Sequence, residues 1–236
     1  MVTVRVPATT ANLGPGFDTL GLALALYNTL TFEELAEGLY FEGIDPEYAT
    51  AENLAVVAYK AVLSKLGLPM PGLRISVQAE IPICRGLGSS AALIAAGAAG
   101  ANANHGSPLT RAELLAVCND IEGHPDNLAP AIFGGLVASF VENERPYIAR
   151  YSLHKRLRCT ALIPDFQLST HLARGVLPKE VPYGDAIFNV SRTAVLLRAL
   201  EEGDTETISV SLRDKLHQPF RRTLIPGFDE AEALAN

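Results

Sequence analysis

The 236-residue sequence contains no basic block, no closely spaced cysteines and no long hydrophobic run. Its 19 Lys and Arg residues are outnumbered by 26 Asp and Glu residues, which gives a net charge of -7. Without a basic block, the surface is poorly suited to nucleic acids and to anionic membranes, so we expect neither as a partner. A local basic site for a small anion remains compatible with this charge.

The three cysteines, Cys84, Cys118 and Cys159, are far apart and form no C-x-x-C pair. This pattern is typical of a reducing compartment and gives no indication of zinc. The longest apolar run, within residues 91–103, is too short and too rich in Ala and Gly to span a bilayer. A strand pattern starts at Val2 with no signal peptide before it. We therefore expect a soluble, cytoplasmic protein.

Strand patterns alternate with helical patterns along the chain, which predicts a mixed α and β fold. The predicted strands cover residues 2–6, 21–35, 39–41, 73–79, 136–141, 159–163 and 166–169. The predicted helices begin near Asn53, Ser89, Thr110, Asp185, Asp204 and Phe228. Residues 8–18 are predicted to form a loop after Pro7. The charged and irregular run 142–158 is the predicted domain boundary, which gives domains of residues 1–155 and 156–236.

A glycine-rich turn leads directly into an Ala-rich helix between Ile81 and Asn104, beginning I-P-I-C-R-G-L-G-S-S-A-A. Glycines let the backbone approach a ligand, and the first N–H groups of a helix have no intrahelical partner, so this join suits an anion such as phosphate. A helix merely capped by Ser89 or Ser90 is the alternative interpretation. Because the turn lacks the Walker lysine, amides, hydroxyls and a metal would have to balance the charge of a nucleotide's phosphates.

Two polar segments could complete such a site. Residues 8–18 carry Asn12 and Asp18 near their ends, although a plain connector would also fit. The helix after Thr110 ends in E-G-H-P-D-N at residues 122–127, which holds more functional groups than a glycine stop requires. Glu122 is the candidate carboxylate for magnesium, since this ion takes few protein oxygens beside phosphates and water.

Two isolated arginines, Arg174 and Arg221, lie in the second half of the chain. A guanidinium group can bind a carboxylate through two parallel hydrogen bonds, which suits a carboxylate-bearing substrate. Taken singly, each arginine is more often a solvated surface residue that contributes little.

In combination, these motifs resemble the GHMP kinase superfamily and, within it, the homoserine kinases. The motifs are P-A-T-T-A-N-L-G-P-G-F-D at 7–18, P-I-C-R-G-L-G-S-S-A-A at 82–92, E-G-H-P-D-N-L-A-P-A-I-F-G-G at 122–135, S-T-H-L-A-R-G-V-L-P at 169–178 and H-Q-P-F-R-R-T-L-I-P-G-F-D at 217–229. The middle motif alone would indicate only a GHMP kinase. The first motif discriminates, because a mevalonate-kinase-like protein would resemble P-G-K there.

The resemblance implies a two-domain α+β GHMP kinase fold. Its N-terminal ATP-binding domain would be similar to ribosomal S5 domain 2, and its C-terminal domain would be a ferredoxin-like α/β sandwich. Family members carry a third glycine-rich motif of G-x-G-P type, and this sequence ends at Asn236 before such a motif. We therefore expect the C-terminal domain to be incomplete here.

The resemblance also implies ATP-dependent phosphorylation of the side-chain hydroxyl of L-homoserine, a step of threonine biosynthesis. ATP, Mg²⁺ and L-homoserine are the implied ligands, and a homodimer is left open. Another GHMP small-molecule kinase, or a truncated form that binds metabolites without catalysis, are the alternatives. The latter would follow from loss of the third motif.

The same resemblance implies the site residues. The nucleotide would contact Asn53, Pro82, Arg85, Gly86, Leu87, Gly88, Ser89, Ser90 and Ala91, with Asn53 near the adenine nucleoside. Ser90 and Glu122 would hold Mg²⁺. Homoserine would contact Asn12, Asp18, His124, Asn127, Thr170, Arg174 and Arg221. The implied catalytic residues are Asp126, Glu122 and Arg174. For Asp126 we favour orientation of the hydroxyl over proton abstraction, because phosphoryl transfer needs little base strength.

Overall fold

The computed structural model describes residues 1–235, except for the side chains of Thr170, His171 and Ala235. Within this range six strands form one sheet, and helices follow between and after them. The strands are β1 (Val2–Ala11), β2 (Leu20–Leu35), β3 (Leu39–Glu42), β4 (Gly72–Ala79), β5 (Leu136–Glu142) and β6 (Arg145–Tyr151). The helices are α1 (Leu54–Lys65), α2 (Ser89–Asn104), α3 (Arg111–Glu122), α4 (Leu128–Phe133), α5 (Thr170–Gly175), α6 (Tyr183–Glu202), α7 (Thr205–Ser211), α8 (Gln218–Arg221) and α9 (Phe228–Ala235).

The long strand β2 organises the sheet. Strand β1 pairs antiparallel with most of its length. On the other edge of β2, residues 28–35 pair with β4 and residues 20–22 pair with β5. Strand β3 adds parallel to β4, and β6 adds antiparallel to β5. The order is therefore β3-β4-β2-β5-β6, with β1 on the remaining side of β2.

The predicted end of the first strand at Pro7 was wrong, because β1 continues to Ala11 after a register shift between Pro7 and Thr9. Proline lacks an N–H donor, so it interrupts the ladder locally without ending the strand. The predicted loop 8–18 is correspondingly shorter. It starts at Asn12, directly after a strand that is anchored along β2.

The prediction of an irregular segment at 142–158 was also wrong in part, because residues 145–151 form β6. Asn143 and Glu144 both have positive φ, which is the backbone that a tight two-residue hairpin turn requires. The sequence pattern did not predict this strand, because its charged residues and the polar residues on either side of it resemble a loop.

The strands predicted at 159–163 and 166–169 do not form in the described part of the chain. A strand needs a partner edge for its N–H and C=O groups, and none of the six strands pairs with these residues. Helix α6 also begins earlier than predicted. Its N-cap is Pro182, and Asp185 lies in its first turn.

The core lies between the sheet and helices α1 and α2, around the fully buried side chains of Phe32, Tyr59 and Ile94. Two glycines of α2 face this core. A Cβ atom on Gly97 would collide with the carbonyl oxygen of Ala55, and one on Gly100 would meet the ring of Phe32. The small residues of α2 therefore permit the close approach that fixes its N-terminus against the sheet.

None of the helices in residues 1–235 combines the length and apolar character that crossing a membrane requires.

Gly97→Ala tests this packing. We expect the free energy of unfolding to fall by about 1–3 kcal/mol, because the new methyl group must push α2 away from α1. Chemical denaturation measures the change. Gly184→Ala is the matched control, since a Cβ there meets nothing within 4 Å and α6 is helical at that point. This control should be neutral or stabilising by up to about 1 kcal/mol, and equal losses in both variants would contradict the packing argument.

Candidate functional site

The glycine-rich turn ends in a left-handed residue at the start of α2. Gly88 is the N-cap, with φ 67° and ψ 32°, so neither Ser89 nor Ser90 caps the helix. A Cβ on Gly88 would collide with the hydroxyl of Thr9 and approach the side-chain oxygen of Asn127. The turn is therefore pressed against β1 and the segment before α4. Thr9 N also donates to the carbonyl of Leu87, at 3.1 Å.

Ser90 links this helix start to α3. Its hydroxyl donates to Oε2 of Glu122 at 2.7 Å. The two side chains provide oxygen ligands of the kind Mg²⁺ prefers. Among residues 1–235, no group of three or more His, Cys, Asp or Glu side chains is placed to hold a metal. A magnesium ion at Ser90 and Glu122 would therefore take its remaining ligands from phosphate and water.

Asp126 is 3% exposed and collects hydrogen bonds in the turn between α3 and α4. Its Oδ1 atom lies 2.8 Å from Nδ1 of His124 and accepts from the backbone N–H of Asn127 at 2.7 Å. The bond to Asp126 raises the pKa of His124, against the opposing effect of burial. Asn127 is fixed from the other side, because its Oδ1 accepts from the hydroxyl of Thr9 at 2.9 Å. These contacts give the turn one conformation.

Asp18 and Arg174 form a bidentate ion pair across the cluster. The Nη2–Oδ1 and Nη1–Oδ2 distances are 2.7 and 3.0 Å. Asp18 is held by its own backbone N–H, which donates to Oδ1 of Asn12 at 3.0 Å. The pKa of Arg174 is raised chiefly by Asp18, and the carboxylates of Asp126 and Glu122 add to this effect. Arg174 thus lies within electrostatic reach of the other two acidic groups.

Arg221 lies beside this pair. Its Nε donates to the carbonyl of Ala173 at 2.9 Å, which ties α8 to α5. The guanidinium groups of Arg221 and Arg174 lie 5.0 and 5.7 Å from the centre of the Phe17 ring. Burial and the neighbouring charge of Arg174 lower the pKa of Arg221. The two guanidinium groups beside the same ring create a positively charged site that suits a carboxylate.

The structure brings together most of the predicted site. The side chains in this connected cluster are Asn12, Asp18, Ser90, Glu122, His124, Asp126, Asn127, Arg174 and Arg221. Thr170 opens α5, but its side chain lies outside the described residues. The role of each residue toward a ligand stays a prediction.

The remaining predicted nucleotide residues lie along the turn or further away. Asn53 is buried and caps α1, accepting from the N–H of Ala55 at 3.0 Å and donating to the carbonyl of Tyr48 at 2.9 Å. Arg85 is partly buried and donates to the carbonyl of Asp165 at 2.9 Å. Pro82, Gly86, Leu87, Ser89 and Ala91 form the turn and the first turn of α2.

Sequence reasoning missed several residues that contact this cluster or hold the loop of residues 12–18 that carries Asn12 and Asp18. Thr9 and Phe17 contact the cluster, Asn189 and His217 contact backbone carbonyls of the loop, and Asp214 accepts hydrogen bonds from Asn189 and His217. Thr9 and His217 lie within the motifs at 7–18 and 217–229, so the motifs marked them without assigning a role. Asn189 and Asp214 carry no sequence signal, because only the packing of α6 against the turn before α8 brings them together.

The comparisons with known proteins agree on one family. A family model described as GHMP kinases N terminal domain matches residues 53–135. The homoserine kinase of Clostridium botulinum is 47% identical over 97% of this chain and 77% of its own length. That of Moorella thermoacetica is 48% identical over 100% of this chain and 80% of its own length. The crystal structure of a homoserine kinase from Cytophaga hutchinsonii superimposes with a TM-score of 0.82 at 27% identity, covering 98% of this chain and 78% of that one.

Asp126→Asn tests the electrostatics of the turn. We expect the pKa of His124 to fall, because the anionic acceptor is lost while burial, which lowers the pKa, remains. Titration of the imidazole resonances by NMR measures it. In the wild type, protonated His124 contributes stability that is complete below its unfolded pKa of about 6.5 and is lost as the pH rises through the higher folded value. The Asp126→Asn variant should lose this contribution to stability at acidic pH. An unchanged His124 titration would contradict the pairing, and the other imidazoles serve as internal references.

Proposed function

The chain belongs to the homoserine kinase family of the GHMP kinase superfamily, and on that premise we propose that it transfers the γ-phosphoryl group of ATP to the side-chain hydroxyl of L-homoserine. The product, O-phospho-L-homoserine, places the reaction in threonine biosynthesis. The observation that carries the proposal is the ion pair of Asp18 and Arg174 beside the phosphate-suited start of α2. The pair offers one anionic and one cationic group, which match the ammonium and carboxylate groups of an α-amino acid.

We propose that homoserine replaces the ion pair. Its ammonium group takes the place of Arg174 on Asp18, and its carboxylate takes the place of Asp18 on Arg174, with Arg221 beside it. Each protein charge then keeps a partner of opposite sign, so binding leaves no partly buried charge uncompensated. Both side chains are about one third exposed, at 36% and 35%, which leaves the pair accessible to a small zwitterion.

We assign the ATP phosphates to the turn and to the first amides of α2. Gly88 begins the helix with a left-handed backbone, the first amides of α2 have no intrahelical partner, and the helix dipole favours negative charge there. Ser90 and Glu122 are the proposed Mg²⁺ residues, and the ion when bound would neutralise charge on the phosphates.

For Asp126 we propose orientation of the substrate hydroxyl. One of its oxygens is already occupied by His124 and by the backbone of Asn127, which holds the carboxylate in place. A loose phosphoryl-transfer transition state gains most from positioning and charge stabilisation. His124 and Asn127 then act through the same turn, with Thr170 at the start of α5 as a further proposed contact.

We further propose a cytoplasmic location and a domain boundary near residue 155. All three cysteines are free in the structure, which supports a reducing compartment. Strand β6 ends the sheet at Tyr151, and the described residues after it form helices and irregular segments but no strand, which supports a change of architecture at this point.

Measurement of ADP release with homoserine, mevalonate and related alcohols tests the activity. We expect homoserine to support turnover. Arg174→Ala should raise KM for homoserine about 10- to 100-fold, the loss expected for a charge-assisted hydrogen-bonded contact, and leave KM for ATP nearly unchanged.

Arg198→Ala is the control, because Arg198 is exposed on α6 and its ion pairs among the described residues are with Glu201 and Glu202 of its own helix. Turnover of another alcohol in place of homoserine would indicate a different GHMP kinase. Calorimetric binding of homoserine without turnover would indicate a non-catalytic form.

Glu122→Gln tests the metal assignment. We expect a lower kcat and a magnesium concentration for half-maximal activity that rises about tenfold or more, because one of few protein oxygens loses its charge. Magnesium titration of the rate measures this. Asp120→Asn, an exposed carboxylate on the same helix, should leave the titration unchanged. An unaltered magnesium dependence in Glu122→Gln would remove this residue from the metal site.

A further inference from the structure

The loop that carries Asn12 and Asp18 is held by residues from the C-terminal part of the chain. The carbonyl of Gly14 lies 2.8 Å from Nε2 of His217, and the carbonyl of Pro15 accepts from Nδ2 of Asn189 at 3.0 Å. Both contacts are to backbone carbonyls, so they constrain the backbone conformation of the loop independently of its side chains.

A buried carboxylate organises both donors. The side chain of Asp214 is fully buried, at 0% exposure. Its Oδ1 accepts from Nδ2 of Asn189 at 2.6 Å, and its Oδ2 accepts from the backbone N–H groups of His217 and Gln218 at 2.9 and 2.7 Å. Burial alone would raise the pKa of Asp214, but the hydrogen bonds from Asn189, Gln218 and His217 outweigh it and leave the pKa lowered. Asp214 is therefore a fixed anion that orients Asn189 and His217 together.

His217 touches the loop in two ways. Its ring stacks on Phe17 with 5.1 Å between centroids, in addition to the contact with Gly14. Burial lowers the pKa of His217, which favours a neutral ring whose Nε2–H donates to the loop. Its carbonyl accepts from the N–H of Arg221 at 3.0 Å, so the same residue also begins the helix that carries Arg221.

The loop has little freedom at this contact. A Cβ on Gly14 would collide with the carbonyl of Leu212 at the end of α7, and Gly14 has a φ of 73°. Asp18, four residues further on, also has positive φ, at 53°. An aspartate in this region needs surrounding contacts to hold it there.

We propose that Asp214, Asn189 and His217 are positioning residues, which fix the loop of residues 12–18 so that Asp18 stands opposite Arg174. The inference rests on the proposed function, since it concerns the loop assigned to homoserine. None of the three is proposed to touch the substrate. Their effect should therefore appear in homoserine binding far more than in ATP binding, because the turn at the start of α2 makes no hydrogen bond with them.

Two substitutions of His217 separate the effect of its hydrogen-bond donor from the effect of its aromatic ring. His217→Phe keeps an aromatic ring for Phe17 but removes the donor to Gly14, and His217→Gln places an amide N–H near the position of Nε2. We expect His217→Phe to raise KM for homoserine about 3- to 10-fold, the range of one lost hydrogen bond, with KM for ATP changed less than about twofold. His217→Gln should restore most of the affinity. Asn189→Leu should act in the same direction as His217→Phe.

Hydrogen exchange of the free protein gives a readout that does not depend on activity. We expect the backbone N–H groups of residues 13–18, other than Pro15, to exchange faster in His217→Phe and Asn189→Leu than in the wild type. Asp204→Asn is the control. It removes a charge at the N-cap of α7, where Asp204 accepts from the N–H of Thr207 at 3.1 Å, and it does not contact the loop, so the loop exchange should stay as in the wild type.

These measurements separate the two proposals. A wild type that turns over homoserine, with variants that keep its KM and its loop exchange, would overturn the positioning role and leave the proposed function intact. Equal increases in the KM values for homoserine and ATP would also overturn it, because they indicate a general loss of structure. A wild type without homoserine turnover would remove the proposed function, and the exchange data would still decide whether these residues hold the loop.

Discussion

The ion pair between Asp18 and Arg174 is the contact on which the site depends. It joins the loop after β1 to helix α5, across more than 150 residues of sequence, and each partner is held by further contacts. Asn12 and the carbonyl contacts of the loop fix Asp18, and the stacking over Phe17 and the neighbouring Arg221 fix the environment of Arg174. The pair holds two opposite charges in place and is only partly buried, which is what the proposed exchange with a zwitterionic substrate requires.

The proposed phosphate site is built by close packing of the backbone, without a lysine side chain. Gly88 can adopt its left-handed backbone, and its missing side chain admits Thr9 and Asn127. The glycines of α2 bring the helix down on α1 and so set the direction of its N-terminal amides. In the proposed site, amides and two hydroxyls would take the place of the Walker lysine, together with a magnesium ion held by Glu122.

Local patterns predicted much of the N-terminal fold. Alternation identified β2 and β4, and Thr110 marked the start of α3, where the structure shows it forming a capping box with Glu113, because each of these signals is contained in neighbouring residues. The errors arose where structure depends on a distant partner. Strand β1 passes Pro7 because β2 continues beside it, β6 forms because β5 offers an edge, and residues 159–169 lack such an edge in the described chain.

The same distinction applies to the site. The motifs identified Asp18, Glu122, Asp126 and the two arginines as a set, and the structure brings these residues within reach of one another. Asn189 and Asp214 could not be predicted, because an asparagine in a helix and an aspartate in a turn have no distinguishing pattern until packing buries them together. A buried, hydrogen-bonded carboxylate can be identified only from the structure.

A crystal structure of the protein with homoserine and a non-hydrolysable ATP analogue tests the central claim most directly. We predict that the Asp18 and Arg174 side chains separate, with the homoserine ammonium on Asp18, its carboxylate on Arg174 and its hydroxyl directed toward the start of α2. An intact Asp18–Arg174 pair with homoserine bound elsewhere would contradict it.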